Sequence, residues 1–207
     1  VSANKPKLKV VKTETQKSSD GRRQRSQRSR QKILEAMWAL LLEGDMDPSA
    51  ADIAERAGVG LRSVFRHFED MDAIHRELVL VAEADVTPTL LKPYKSSHWK
   101  DRLLELAGRT AELWDRLRVP HTAGEIRRFK SDVLMDDYKR SRVKELSSVK
   151  ALLPKELPGY ETLLLSLDNV LCFSTVRRLR EDRNLSLDDT KKVMTHMVDA
   201  LIKDLPA

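Results

Sequence analysis

One cysteine stands in the 207 residues, Cys172, so no disulfide can close within the chain. Between Leu171 and Phe173 it falls in an apolar helical pattern, which predicts a buried, inert thiol. Histidines number five, at 67, 75, 98, 121 and 196, and never take metal-ligand spacing. No metal site and no cofactor are expected. Seven glycines are too few and too scattered for a phosphate-cradling loop, and no nucleophile sits near a paired base. His121 with Glu125 and His98 with Asp101 are one helical turn apart and read as solvated pairs, so an enzyme is not expected. No apolar run reaches the roughly 18 to 20 residues that span a bilayer. The N-terminal residues also lack the apolar core of a secretory signal, which predicts a cytoplasmic protein without a membrane partner.

Charge is plentiful but uneven. Residues 1–32 hold 11 Lys or Arg against 2 Asp or Glu, while the remaining residues hold 27 against 30, so the net charge of +6 comes from the first segment. Arg22, Arg23, Arg25, Arg28, Arg30 and Lys32 alternate with Gln and Ser, and no apolar side chain intervenes before Ile33. That pattern predicts a disordered basic arm over 1–27, with no apolar face for a membrane surface. A polyanion would be attracted to it through counterion release.

After the arm, Ile33, Leu34, Met37, Leu40 and Leu41 recur at helical spacing, and Gly44 with Asp45 ends the run. Ser49 followed by Asp52 is a capping-box variant that starts a second helix near Ala50, with Ile53, Ala54 and Ala57 on its buried face. Gly58 supplies the left-handed residue that ends it, and Gly60 can cap the next helix. At about 100° per residue, Leu61, Val64, Phe65 and Phe68 share one arc of that helix, while Arg62, Ser63, Arg66 and His67 share the other. The layout is a helix-turn-helix, whose outward guanidiniums, hydroxyl and imidazole suit base edges and phosphates.

The three-helix unit closes near Phe68, and a fourth helix carries Met71, Ile74, Leu78 and Val81 on one side. Beyond Pro88 the pattern predicts helices near 97–118, 122–131, 132–151, 159–182 and 186–204, with Pro93, Pro120, Pro154 and Pro158 as boundaries. No strand alternation appears, so the fold class is all-α. The expected organisation is a basic arm over 1–27, a helix-turn-helix domain over 28–78 and a larger helical ligand-binding and dimerisation domain over 79–207. Leu163, Leu164, Leu167, Val170, Leu171 and Ser174 form one stripe; Val193, Met194, Met197, Val198, Leu201 and Ile202 form another. Two such helices can pair with a second copy as a four-helix bundle, or simply close the chain's own core. Leu163, Leu167, Val170, Leu171, Ser174, Met194, Met197 and Leu201 are the expected dimer residues. Trp99, Trp114, Phe129, Met135, Tyr138 and Phe173 are candidate walls of a ligand pocket, although aromatic residues at helical spacing also serve as plain core.

The residues IAERAGVGLRSVFRHFEDMDAI resemble the TetR family of bacterial transcriptional regulators, over roughly residues 30–78. The resemblance implies a homodimer that binds double-stranded DNA at a palindromic operator, usually as a repressor, and answers to a small-molecule effector. It places Leu61, Arg62 and Ser63 at the base-contacting start of the recognition helix and Phe65, Arg66 and His67 at the phosphates or flanking bases. Ser49 matches a phosphate contact at a helix N-terminus. Phe65 stands where the family usually has Tyr, and Asp70 or Met71 where a Lys is common, so two phosphate bonds are missing. Leu61 is placed core-side by the helical wheel and base-side by the resemblance. The alternative function is a ligand-independent architectural or nucleoid-type DNA-binding protein; a helical adaptor whose arm binds RNA or acidic proteins is a further one.

Overall fold

The computed structural model describes residues 20–206, with side chains from Arg23 onward. The expectation of an arm over residues 1–19, and the side chain of Arg22, lie outside the described residues. Among the described residues every regular element is helical: α1 (Asp20–Leu42), α2 (Ala50–Ala57), α3 (Leu61–His67), α4 (Met71–Leu90), α5 (Trp99–Arg127), α6 (Asp132–Lys150), α7 (Tyr160–Leu171), α8 (Phe173–Arg177) and α9 (Leu187–Ile202). A 3₁₀ turn (Arg128–Lys130) joins α5 to α6, and a π-helical turn (Arg178–Asp182) follows α8.

Two compact units divide the chain. One holds the residues through Asp85 together with Val119–Asp136; the other holds Val86–Arg118 and Asp137–Ala207. The boundary therefore does not fall at residue 78, as the sequence pattern suggests. It falls inside α4, α5 and α6, and the last two turns of α5 join the first unit.

In the first unit α1, α2 and α3 pack on one another. Ile33, Leu34, Met37, Trp38 and Leu41 of α1, Ile53 and Ala54 of α2, Val64 of α3, and Ile74 and Leu78 of α4 are buried. α1 begins at Asp20, so residues 20–27, expected to be disordered, are helical. Gln, Arg and Lys are good helix formers in themselves, and the apolar turns from Ile33 onward supply a folded end from which the helix extends.

In the second unit α7 packs on α8 and α9. The Trp114 indole donates to the Leu171 carbonyl at 3.1 Å, and its ring meets Phe173 edge-on at 5.6 Å between centroids. Arg109, 8% exposed, donates to the carbonyls of Leu90 at 3.0 Å and Pro93 at 2.8 Å, and to that of Lys92, at the end of α4. Carbonyls left open by the end of a helix are thereby satisfied by a charged donor.

Two boundaries beyond α4 differ from the sequence reading, as does the setting of Cys172. Pro120 does not end a helix but lies inside α5, and the break comes at the 3₁₀ turn eight residues later. Proline removes one backbone bond without forbidding a helix whose sides are buried; Pro120 and Ala123 are both buried. The helix expected over 159–182 is interrupted at Cys172, which is extended (φ −73°, ψ 160°). Its thiol is half-buried rather than enclosed, with Sγ 3.1 Å from the Asn169 carbonyl.

Gly58 ends α2 at φ 64°, in the left-handed region, and a Cβ there would meet nothing within 4 Å. Gly58→Ala should therefore lower stability by about 1 kcal/mol through backbone strain alone, measured as a shift in the urea midpoint. His75 of α4 is 2% exposed, and its Nε2 has no hydrogen-bond partner. Burial lowers its pKa to about 4, with the Arg127 guanidinium acting in the same direction and Asp47 and Asp72 opposing. The unfolded chain takes up this proton near pH 6.5 and the folded chain only near 4, so stability falls as pH falls through that window, by about 3 kcal/mol. Denaturant titrations between pH 7 and 4 should show this decline in the wild type and a shallower one in His75→Leu.

Candidate nucleic-acid interface

The helix-turn-helix is built from local chemistry. Ser49 caps α2: its hydroxyl accepts from the Asp52 amide at 3.2 Å, while the Asp52 carboxylate accepts from the Ser49 amide at 3.0 Å. The same carboxylate accepts from the Ser49 hydroxyl at 2.5 Å, and these bonds hold Asp52 below the usual carboxylate range. The Gly58 amide turns back to the Ala54 and Glu55 carbonyls. Gly60, extended at φ −70° and ψ 147°, then opens α3 and accepts from the Ser63 amide at 2.7 Å. Arg56 at the end of α2 grips Glu43 beyond α1 with two bonds of 2.6 Å.

α3 shows a wider outward face than its wheel predicts. Only Val64, with Phe68 just after the helix, is buried; Leu61 is 47% and Phe65 49% exposed. The helical wheel puts both on the core side and the family resemblance puts both toward DNA; their exposure departs from the wheel. Seven residues make about two turns, and docking on α1 and α2 covers a single stripe of them. Leu61, Arg62, Phe65 and Arg66 therefore stand exposed together, with Ser63 half-buried and accepting from Arg66 Nη2 at 2.7 Å. The face offers two guanidiniums and two apolar side chains at i, i+4 spacing.

Two expected contact residues are placed otherwise: Arg30 is engaged within the unit and His67 is half-buried. Arg30 is no part of a free arm. Its Nε donates to Glu77 Oε1 at 2.7 Å, a second nitrogen pairs with Glu77 Oε2, and a third bonds the His67 carbonyl. Its guanidinium also lies 4.2 Å from the centroid of Phe68. His67, expected as an outward imidazole, is half-buried, and its Nε2 has no hydrogen-bond partner. Burial, then the Arg66 and Arg30 charges, lower its pKa, which favours the neutral ring. Arg23, Arg25 and Arg28 on α1 remain exposed.

Neither Glu77 nor Arg127 was visible as part of this unit from sequence. Arg127 donates from Nη1 to Asp47 Oδ1 at 2.6 Å and from Nε to Asp72 Oδ1 at 2.7 Å. Partners 47, 80 and 55 residues apart leave no local signal. An unusually polar end to α5, with Arg127, Arg128 and Lys130 in four residues, is the one hint the sequence carries.

The other expected site residues occupy several different settings. Of the pocket residues, Trp114 and Phe173 fill each other's space, Trp99 and Tyr138 are half-buried in the second unit, and Met135 and Phe129 belong to the first. Phe129 is 73% exposed beneath the Arg128 guanidinium. Of the dimer residues, Leu163, Leu167, Val170, Leu171 and Met194 are buried within the single chain, as part of its own core. Ser174 is exposed, and Met197 and Leu201 are half-exposed. Among the described residues, no group of three or more His, Cys, Asp or Glu could hold a metal, and no helix is long and apolar enough to cross a membrane.

Arg30→Met should cost about 1–2 kcal/mol of stability and leave the salt dependence of DNA binding unchanged. Arg28→Met should leave stability unchanged and reduce the salt slope by about one. Thermal melts and fluorescence anisotropy at several salt concentrations separate the two.

Comparison with known proteins agrees with this geometry. The sequence profile of "Bacterial regulatory proteins, tetR family" matches residues 33–78, the segment from α1 to the second turn of α4. Among curated protein sequences no significant match is found. Three solved structures share the fold. A transcriptional regulator from Rhodococcus sp. Rha1 is 13% identical, with TM-score 0.68 over 88% of this chain and 98% of its own. A protein described as a TetR-family transcriptional regulator from Rhodococcus sp. is 16% identical, with TM-score 0.59 over 84% and 98%. Another so described, from Mesorhizobium loti, is 18% identical, with TM-score 0.58 over 88% and 99%. With α1–α3 forming a capped helix-turn-helix and the profile falling on it, residues 33–78 are similar to the DNA-binding domain of the TetR family of bacterial transcriptional regulators.

Proposed function

We propose that the protein is a homodimeric, ligand-responsive repressor that reads a palindromic DNA operator through α3. The observation that carries this is the exposed face of α3, where Leu61, Arg62, Phe65 and Arg66 stand clear of the core. Arg62 has the reach and the donors for the O6 and N7 atoms of guanine, and Leu61 and Phe65 suit thymine methyl groups. Ser63 and Arg66 act as a hydrogen-bonded pair on a phosphate or flanking base, and the exposed Ser49 presents the N-terminus of α2 to a phosphate. Arg23, Arg25 and Arg28 supply attraction without sequence information, which offsets the missing hydroxyl at Phe65. Arg30 and His67 support the unit rather than touch the DNA.

A two-turn helix reads only a few base pairs, so genomic specificity calls for two copies on two half-sites. α7 and α9, with the start of α8, are the pairing elements, through the residues their own core leaves uncovered: Leu165 of α7, 60% exposed, Ser174 of α8, and Met197 and Leu201 of α9. Effector binding in the helical second unit changes the separation of the two recognition helices. By linkage, the effector binds the DNA-incompetent form more tightly.

The test begins with selection of duplexes from a random library by the purified protein, and an inverted repeat is the expected product. Arg62→Ala should then weaken binding to the selected duplex by about 1–3 kcal/mol and relax preference at one base step. Equal loss on selected and random duplexes would identify a non-specific, architectural binder instead.

A further inference from the structure

Asp47 lies two residues before the Ser49 cap of α2, and Asp72 lies in the first turn of α4, just past α3. These two residues bracket the helix-turn-helix. One guanidinium, that of Arg127, holds both: Nη1 reaches Asp47 at 2.6 Å and Nε reaches Asp72 at 2.7 Å. Lys130 adds a bond to the second Asp47 oxygen at 3.1 Å. The three principal side chains retain 21%, 34% and 23% exposure, so the cluster is partly screened from water but not sealed. Asp47 is held below the usual carboxylate range by the hydrogen bond from Lys130 and then by Arg127. At Asp72 burial acts upward, but hydrogen bonds from Ser131 and Arg127 outweigh it.

A planar guanidinium that bridges two carboxylates fixes their separation more tightly than a lysine, because its donors point in set directions. What it fixes here is the distance between the two ends of the segment that carries α2 and α3. The charge pattern excludes a simple phosphate role for the group: a cation already engaged by two carboxylates offers little net charge to a polyanion.

We propose that Arg127 is a positioning residue for DNA reading, which clamps Asp47 to Asp72 and thereby sets the pose of α2 and α3. The inference rests on the reading that α3 contacts the operator, and it adds a requirement from α5, outside the segment matched by the family profile. Positioning and plain electrostatics predict opposite signs. Removing a carboxylate near DNA strengthens binding if only charge matters, and weakens it if the carboxylate holds the clamp.

Asp47→Asn, Asp72→Asn and Arg127→Met are measured by anisotropy on the selected duplex and a random one, over a range of salt. Amide hydrogen exchange is followed on the DNA-free proteins. Expected are losses of about tenfold on the selected duplex for each variant, smaller losses on random DNA, and a salt slope unchanged in Arg127→Met. Exchange in α2 and the preceding loop should quicken, while residues 33–41 of α1 keep their protection. Tighter binding by both Asn variants would overturn the clamp, as would unchanged α2 exchange in Arg127→Met. A slope reduced by about one in that variant would also overturn it, by placing Arg127 on a phosphate. Should Arg127→Met not fold, the two Asn variants carry the same opposition of signs. Should the wild type select no duplex, the operator reading fails, and hydrogen exchange alone decides the clamp.

Discussion

Arg30 ties together three pieces of chain by polar bonds: the middle of α1, the last residue of α3 and the second turn of α4. α3 is seven residues long and buries little beyond Val64 and the neighbouring Phe68. So short a helix cannot persist on propensity, and one apolar stripe two residues deep is a weak anchor. The guanidinium adds one bond to the His67 carbonyl, which the end of the helix leaves open, and a face against the Phe68 ring. The anchor is polar and partly wet, so it fixes direction more than it adds stability.

This division of labour explains the exposed chemistry of α3. With the docking side served by Val64, Phe68 and Arg30, the rest of the helix surface is released from the core. Leu61 and Phe65 can then be large and apolar without closing the interior, and Arg62 and Arg66 stand beside them. The Arg127 contacts with Asp47 and Asp72 are of the same kind, and both sets lie within the first unit. Polar groups from α1, α4 and α5 thus frame a segment whose own apolar contacts are few.

What was legible in the sequence was whatever is decided within about four residues. The Ser49–Asp52 box, the left-handed Gly58 and the Gly60 start of α3 appear as read, because each depends on local backbone geometry. The all-helical class and the buried stripe of α1 followed from periodicity. Periodicity gives the direction of an apolar face but not its width, and so the helical wheel alone puts Leu61 and Phe65 on a core side that does not extend to them. It is equally silent on what covers a stripe: Leu163, Leu167 and Met194 meet their own chain, although the same pattern suits a partner copy. Arg30 read as one more basic residue in a run, since nothing near it announces Glu77. For the aromatic residues, type alone does not distinguish the wall of a pocket from a filler such as Trp114 against Phe173.

The two internal prolines have a mechanical meaning. Pro88 lacks the amide hydrogen that would bond residue 84, and Pro120 the one that would bond residue 116. Each missing rung straddles a place where the chain passes between units, at Asp85–Val86 in α4 and at Arg118–Val119 in α5. A helix resists bending through its ladder of backbone bonds, and removing one rung lowers its stiffness at that point. In two of the three helices that pass from one unit to the other, the ladder of backbone bonds is thus interrupted at the passage itself.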